Sequence, residues 1–147
     1  MIAVDANILV YAHREDSPFH HAALAGLVEL AEGRAAWAIP WPCVHEFVAI
    51  VTNPRIYAPS SPLAVALDAM DAWFQSPSVV LLAEGPTHWP TLRRLLVAGQ
   101  IVGGRVHDAR IAALCLQHGV RELWSSDRDF SRFPELVTVN PLVRSAT

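Results

Sequence analysis

Met1-Ile2-Ala3-Val4-Asp5-Ala6-Asn7-Ile8-Leu9-Val10-Tyr11 is the stretch that decides how this chain folds. Residues 2–4 are apolar and of strand length, and they read as a short buried strand. Asp5 closes that run, and the residues after it turn toward helix. A carboxylate at the carboxyl end of an apolar strand lies where a parallel α/β sheet places its binding site. Burying such a charge is costly unless it is paired or bound to a cation. Asp5 therefore needs partners from elsewhere in the chain.

Three other carboxylates sit in similarly apolar surroundings. Glu46 falls between Val44 and the run Phe47 to Val51. Asp108 precedes Ala109 to Leu114, and Asp127 follows Leu123-Trp124-Ser125-Ser126. If the strands ending at Asp5 and near Asp127 are neighbours, both side chains enter one crevice. Asp108 lies at a helix start, where backbone donors and the dipole favour an anion. Glu46 rises from a different helix, beside an apolar stripe.

The rest of the chain repeats the strand-then-helix order. Further strands are predicted at residues 36–39, 79–82, 122–124 and 136–139. Helices are predicted at 20–31, 43–53, 63–74, 88–97 and 106–118. Ser17-Pro18 reads as a helix start with Pro just inside. Gly33, Asn53-Pro54 and Gly119 read as stops, and Pro40 and Pro42 as punctuation of a connection. Asp129-Phe130 begins a short turn, and residues 98–104 form a Gly-rich loop. This alternation predicts an α/β fold with a five-stranded, mostly parallel sheet flanked by helices on both faces. There is no internal repeat and no linker. One domain is expected over residues 1–142, with 143–147 as a short C-terminal tail.

Composition narrows the class. The chain has 147 residues, 52% hydrophobic and 17% charged, which supports a real core and argues against disorder. No run of 18 apolar residues predicts a membrane span. The start of the chain lacks the basic and apolar regions of a signal peptide, and Cys43 and Cys115 have no partner motif. A reducing, cytoplasmic setting with free thiols is the expectation. The net charge of −3 does not advertise a nucleic-acid binder, although a local patch can still hold phosphate. Five Trp and the Pro-flanked segments leave apolar area for an interface, so a homodimer is expected.

Oxygen-only ligands select hard divalent cations, chiefly Mg2+, with Mn2+ as a substitute. The expected reaction is hydrolysis of a phosphodiester, with metal charge offsetting charge that builds on phosphorus. Asn7 and Ser125 are placed to position a water on the metal. Asp129 is either a fifth acid or the cap of the turn at Phe130. Arg105, His107 and Arg110 surround Asp108, and His88, Arg93 and Arg94 precede it. Arg105 is a candidate RNA contact, whereas Arg93 and Arg94 read as solvated helix charges. His13, His20 and His21 read as exposed near an early loop, with a weak metal site as the alternative.

Four segments carry a family resemblance: Val4-Asp5-Ala6-Asn7-Ile8-Leu9, Glu46 in the third helix, His107-Asp108-Ala109-Arg110-Ile111-Ala112-Ala113, and Ser125-Ser126-Asp127-Arg128-Asp129-Phe130. With them the chain, from Met1 to about Leu142, resembles the PIN-domain ribonucleases, specifically the VapC-type toxins of bacterial toxin–antitoxin pairs. The resemblance implies a five-stranded parallel sheet and an acidic quartet of Asp5, Glu46, Asp108 and Asp127, with Asp129 as auxiliary. It implies an endoribonuclease requiring magnesium or manganese. It also implies a homodimer and a VapB-like antitoxin whose tail enters the groove. Ser125 stands where many members carry Thr, which keeps the hydroxyl. The Pro-rich stretch Tyr57–Pro62 and the loop Gly99–Gly104 depart from leaner members and are candidate specificity elements.

Two other functions use the same acids or fold. One is a DNA- or structure-specific metal nuclease. The other is a non-catalytic interaction module, which the intact acidic set disfavours. A small-molecule phosphotransferase with an aspartyl nucleophile is disfavoured more strongly. The chain has no Lys, so all 11 basic residues are Arg, and Asp5-Ala6-Asn7 lacks a second carboxylate.

Overall fold

A computed structural model describes residues 1–143, so Arg144–Thr147, most of the expected tail, lie outside the described residues. Five strands form one sheet in the order β3-β2-β1-β4-β5, with every neighbouring pair parallel. They are β1 (Ile2–Val4), β2 (Trp37–Pro40), β3 (Val79–Leu82), β4 (Glu122–Trp124) and β5 (Val137–Val139). Six helices connect and cover them: α1 (Ala6–His13), α2 (His20–Glu32), α3 (Trp41–Val51), α4 (Leu63–Phe74), α5 (His88–Gly99) and α6 (Val106–Gln117). The central strands are buried on both faces, as the continuous apolar runs require. All four residues of β2 are buried, as are Ala3, Val4 and Leu123.

β1 lies between β2 and β4, and Val4 is in register with Trp124. The chain first winds one way from β1 to β2 and β3, then returns to the other side of β1 for β4 and β5. The reversal leaves a crevice between the carboxyl ends of β1 and β4, the preferred site for ligands in open α/β sheets. Asp5 N donates to Trp124 O at 2.9 Å, so the pairing extends to the edge of that crevice.

Several boundaries differ from the sequence expectation. No connection separates β2 from α3: Pro40 ends the strand and caps the helix, which begins at Trp41 with Pro42 in its first turn. Proline needs no intrahelical partner there, so these prolines start the helix directly instead of marking a linker. At its other end α3 stops at Val51, where Thr52 Oγ1 donates back to Val48 O at 2.6 Å. Helix α5 runs on to Gly99, with Gln100 left-handed at φ 50° and Ile101 N bonded to Leu96 O at 2.9 Å. Ser17-Pro18 lies ahead of α2, which starts at His20 with Phe19 as its N-cap residue. A 3-10 turn at Arg128–Arg132 follows β4, in place of the simple turn expected at Asp129-Phe130.

The core is one cluster on both sides of the sheet, with Trp37, Phe47, Phe130, Phe133, Leu9 and Leu114 among its largest fully buried side chains. Cys43 and Cys115 are buried free thiols. Burial pushes the Cys115 thiol up to about 12, and Cys43 is raised as well, with burial the main cause and the Asp5 charge next. No helix among the described residues is long and apolar enough to cross a membrane.

Candidate metal centre

Asp5 leaves β1 and immediately caps α1. Its Oδ1 accepts from Ala6 N at 2.8 Å, and its Oδ2 accepts from Ser125 Oγ at 2.7 Å and Asn7 Nδ2 at 3.2 Å. The Cys43 thiol approaches Oδ1 at 3.5 Å. Asp5 is 5% exposed. Desolvation raises its pKa, and these donors only partly offset that, because hydrogen bonds to a carboxylate favour the charged form.

Ser125 joins two acids. Its hydroxyl donates to Asp5 and accepts from Asp127 N at 3.0 Å and from Asn7 Nδ2 at 3.1 Å. Asn7 Oδ1 accepts from Ser126 N at 3.2 Å. Ser125 is 2% exposed. The structure thus spends Ser125 and Asn7 on holding Asp5 and the Ser125–Asp127 loop together. Either is a candidate for positioning a water, and in the structure both bond to protein groups around Asp5 and Asp127.

Asp108, Asp127 and Asp129 form the open part of the site. One carboxylate oxygen from each lies within 4.8 Å of the others. Asp127 Oδ1 accepts from Asp129 N at 2.8 Å and so caps the 3-10 turn. The cap anticipated at Asp129 is thereby made by Asp127, and Asp129 is free to add its charge to the group. Asp108 lies in the first turn of α6. Its carboxyl is pushed up to about 6, first by desolvation and then by the charges of Asp127, Asp5 and Asp129. Glu46 borders the group from α3 and keeps a solvent-exposed flank. Desolvation and the charges of Asp5, Asp108 and Asp127 raise its pKa as well. Desolvation is the main cause of all three raised carboxyls, and the neighbouring carboxylate charges add to it. Hard oxygen donors at this spacing fit a divalent ion.

The basic residues distribute differently from expectation. Arg105 is half exposed and lies 4.0 Å from Asp129, an ion pair at the rim of the site. Arg110 turns away from Asp108 and pairs with Glu84, with Nε at 2.8 Å. Arg94 is exposed, as expected, and pairs at the surface with Glu135. His21 is exposed as expected, whereas His13 and His20 are partly buried. His13 Nε2 lies 2.8 Å from Ser61 Oγ and packs edge-on against Phe47, and His20 Nδ1 lies 3.0 Å from Tyr11 O. Arg14 stacks 4.2 Å from the Tyr57 ring centroid, which fastens the Pro-rich stretch onto α1.

Two clefts flank the acids. One, of about 500 Å3, lies between α3 and α6 and is lined by His45, Glu46, Gly104, His107 and Asp108. The other, of about 650 Å3, lies beside Asp127 and extends toward β5. His45 was not singled out from sequence. Its only signal there is its place next to Glu46 on a helix, and its role as cleft wall depends on how α3 meets α6.

The PIN domain model matches residues 2–136, and the chain belongs to the PIN-domain family. It is 38% identical over 144 residues to Ribonuclease VapC43 of Mycobacterium tuberculosis, covering 97% of this chain and 96% of that protein. Ribonuclease VapC33 of the same species is 32% identical over 142 residues, covering 97% and 99%. Among solved structures, VapBC2 from Rickettsia felis, bound to a DNA fragment from its promoter, superposes with a TM-score of 0.66 at 21% identity over 95% of this chain and 98% of that one. VapC20 of Mycobacterium tuberculosis, a sarcin-ricin loop cleaving toxin, gives 0.66 at 17% identity over 89% and 93%. The α/β architecture expected from the strand–helix alternation is the fold of these proteins.

Proposed function

We propose that this protein is a metal-dependent endoribonuclease and the toxin of a toxin–antitoxin pair, with one nuclease domain spanning residues 1–142. The observation that carries the reading is the open triad of Asp108, Asp127 and Asp129, bordered by Glu46 and Asp5, at the reversal point of the sheet. The ribonuclease names of relatives at 38% and 32% identity over nearly the full length support the same chemistry.

Asp108, Asp127 and Asp129 are the residues that hold the ion, with Asp5 and Glu46 adding charge; Mg2+ is the ion of choice and Mn2+ a substitute. A divalent ion held here would offset charge on the phosphate and activate water as the nucleophile. The protein's own residues do the rest. Ser125 and Asn7 fix Asp5 and the loop before Asp127, so the carboxylates do not reorganise when substrate enters. Glu46 lines the cleft beside Asp108 and adds its carboxylate to the group from α3. In the hydrolysis, the water oxygen bonds to phosphorus, the bridging P–O bond breaks, and the leaving oxygen takes up a proton. Arg105 at the rim is the candidate contact to RNA phosphate.

A VapB-like antitoxin is the partner this reading assigns, in keeping with the VapBC2 complex of Rickettsia felis. The exposed apolar residues Leu63 and Leu67, one turn apart on α4, are suited to cover by a second copy, which supports a homodimer. Two buried free thiols support a cytoplasmic setting. The test is incubation of purified, antitoxin-free protein with total cellular RNA, with magnesium, with manganese and with chelator, beside Asp127→Asn. Discrete metal-dependent fragments absent from the variant support the reading. Folded protein that neither cleaves RNA nor binds manganese overturns it.

A further inference from the structure

We propose that the 650 Å3 cleft beside Asp127 is a subsite for one unpaired keto nucleobase, guanine or uracil, of the RNA strand next to the cut phosphodiester. The proposal rests on the endoribonuclease reading and adds to it the base that is read. The cleft shares Asp127 and Ser125 with the acidic site. A nucleotide seated in it therefore places an adjoining phosphate at the carboxylates. Its volume is of the size that takes one mononucleotide-sized ligand.

The lining has the two parts that base recognition needs. Phe133 and Leu136 are buried and make an apolar floor for the flat faces of a ring. Ser126, Arg128 and Asn140 make a polar wall around it, with the Thr138 hydroxyl turned in behind that wall. Asn140 Oδ1 is engaged with Leu142 N at 3.0 Å, which leaves its Nδ2 as the group offered to a ligand. Arg128 is exposed and forms no salt bridge among the described residues. Thr138 Oγ1 is shielded from water and has no hydrogen-bond partner among the described residues. Buried hydroxyls are seldom left that way, and a turn about Cα–Cβ exchanges its methyl and hydroxyl positions. The wall is rich in donors, so it complements ring carbonyls. Guanine and uracil present such acceptors, whereas adenine presents an amino donor in the corresponding place. Sequence-reading of RNA uses unpaired bases because their edges are free. The cleft between α3 and α6 lacks this character, since its Arg110 is already paired with Glu84.

The test joins cut-site mapping to a binding measurement that needs no activity. Wild-type protein and the Thr138→Val/Asn140→Leu variant are each given RNA with a randomised single-stranded loop, and cuts are mapped by end sequencing. Wild type is expected to prefer G or U over A at one position beside the cut by about 10-fold, and the variant to lose that preference at that position alone. Thr138→Val by itself retains side-chain shape and controls for folding. In parallel, guanosine, uridine and adenosine are titrated into isotope-labelled protein. Guanosine or uridine is expected to shift the amide signals of Thr138 and Asn140, and adenosine to leave them in place. An unchanged preference in the double variant, or no shift at these residues, overturns the subsite. If wild type neither cuts RNA nor binds manganese but the shifts occur, the subsite stands and the endoribonuclease reading fails.

Discussion

The two halves of the acidic site are built on opposite principles. Asp5 is 5% exposed and surrounded by donors from Ala6, Asn7 and Ser125. Asp108, Asp127 and Asp129 are partly exposed and face one another across less than 4.8 Å. In the first half the protein supplies what a buried charge needs. In the second it concentrates charge and leaves the balance to a ligand. A carboxylate with its hydrogen bonds satisfied by protein sets geometry, and a carboxylate confronted by its own kind binds.

The largest effect should separate the halves outright. Asp127→Asn is expected to lower kcat/KM on RNA by on the order of 10^3-fold or more, because it removes a hard donor and a charge from the triad. In metal-free protein the same change relieves repulsion, so its Tm, read by thermal denaturation, should not fall. A loss of stability comparable to the loss of activity would erase the distinction.

Ser125→Ala probes the satisfied half. It strips a donor from the buried Asp5 carboxylate and the acceptor from Asp127 N. The expected cost is about 2 kcal/mol, with activity down roughly 10–100-fold. Ser125→Thr keeps the hydroxyl and should restore most of both. Denaturant titration beside single-turnover cleavage measures the pair.

The pH dependence of the metal-free protein sharpens the contrast. Asp108 is raised from 3.8 to about 6 in the fold, so folding takes up its proton. Its contribution to stability is complete below about pH 4 and is lost as pH rises through about 6. Half exposure screens the effect to about 1 kcal/mol, a Tm change of about 2–4 °C. Divalent ion should restore the loss, with a Tm increase that is small at pH 4.5 and larger at pH 7.5. Calorimetry with and without manganese at both values gives the result, and a pH-independent increase would count against Asp108 as a ligand.

The smallest effect is at the rim. Arg105→Ala removes an exposed, long ion pair to Asp129, and stability should change by no more than about 0.5 kcal/mol. RNA affinity should fall, and the salt dependence of binding should lose about 0.7 of a counterion on a single strand. An unchanged salt slope would remove Arg105 from the RNA path.

Much of this was legible in the residues because short-range physics decides it. The apolar runs at 2–4, 79–82 and 122–124 become strands, and α4 spans the residues its periodicity marks. The acids stood out because an apolar chain has little reason to place charge at Asp5, Glu46, Asp108 and Asp127. Boundaries failed where a residue has two local meanings. Pro40 and Pro42 mark a connection as readily as a helix start, and only the strand pairing of Pro40 with Leu82 separates the two.

The sequence by itself determined the element types and the α/β class and singled out the acids as candidates, since propensity, periodicity and burial cost act on neighbouring residues. Tertiary structure alone decided that β1 pairs with β4, which brings Ser125 across 120 positions onto Asp5. It also paired Arg110 with Glu84 and Arg94 with Glu135, and it divided the acids into a satisfied half and a repelling one. Hydrogen bonds and Coulomb interactions depend on separation in space, and the order of strands in a sheet is what converts distance along the chain into that separation.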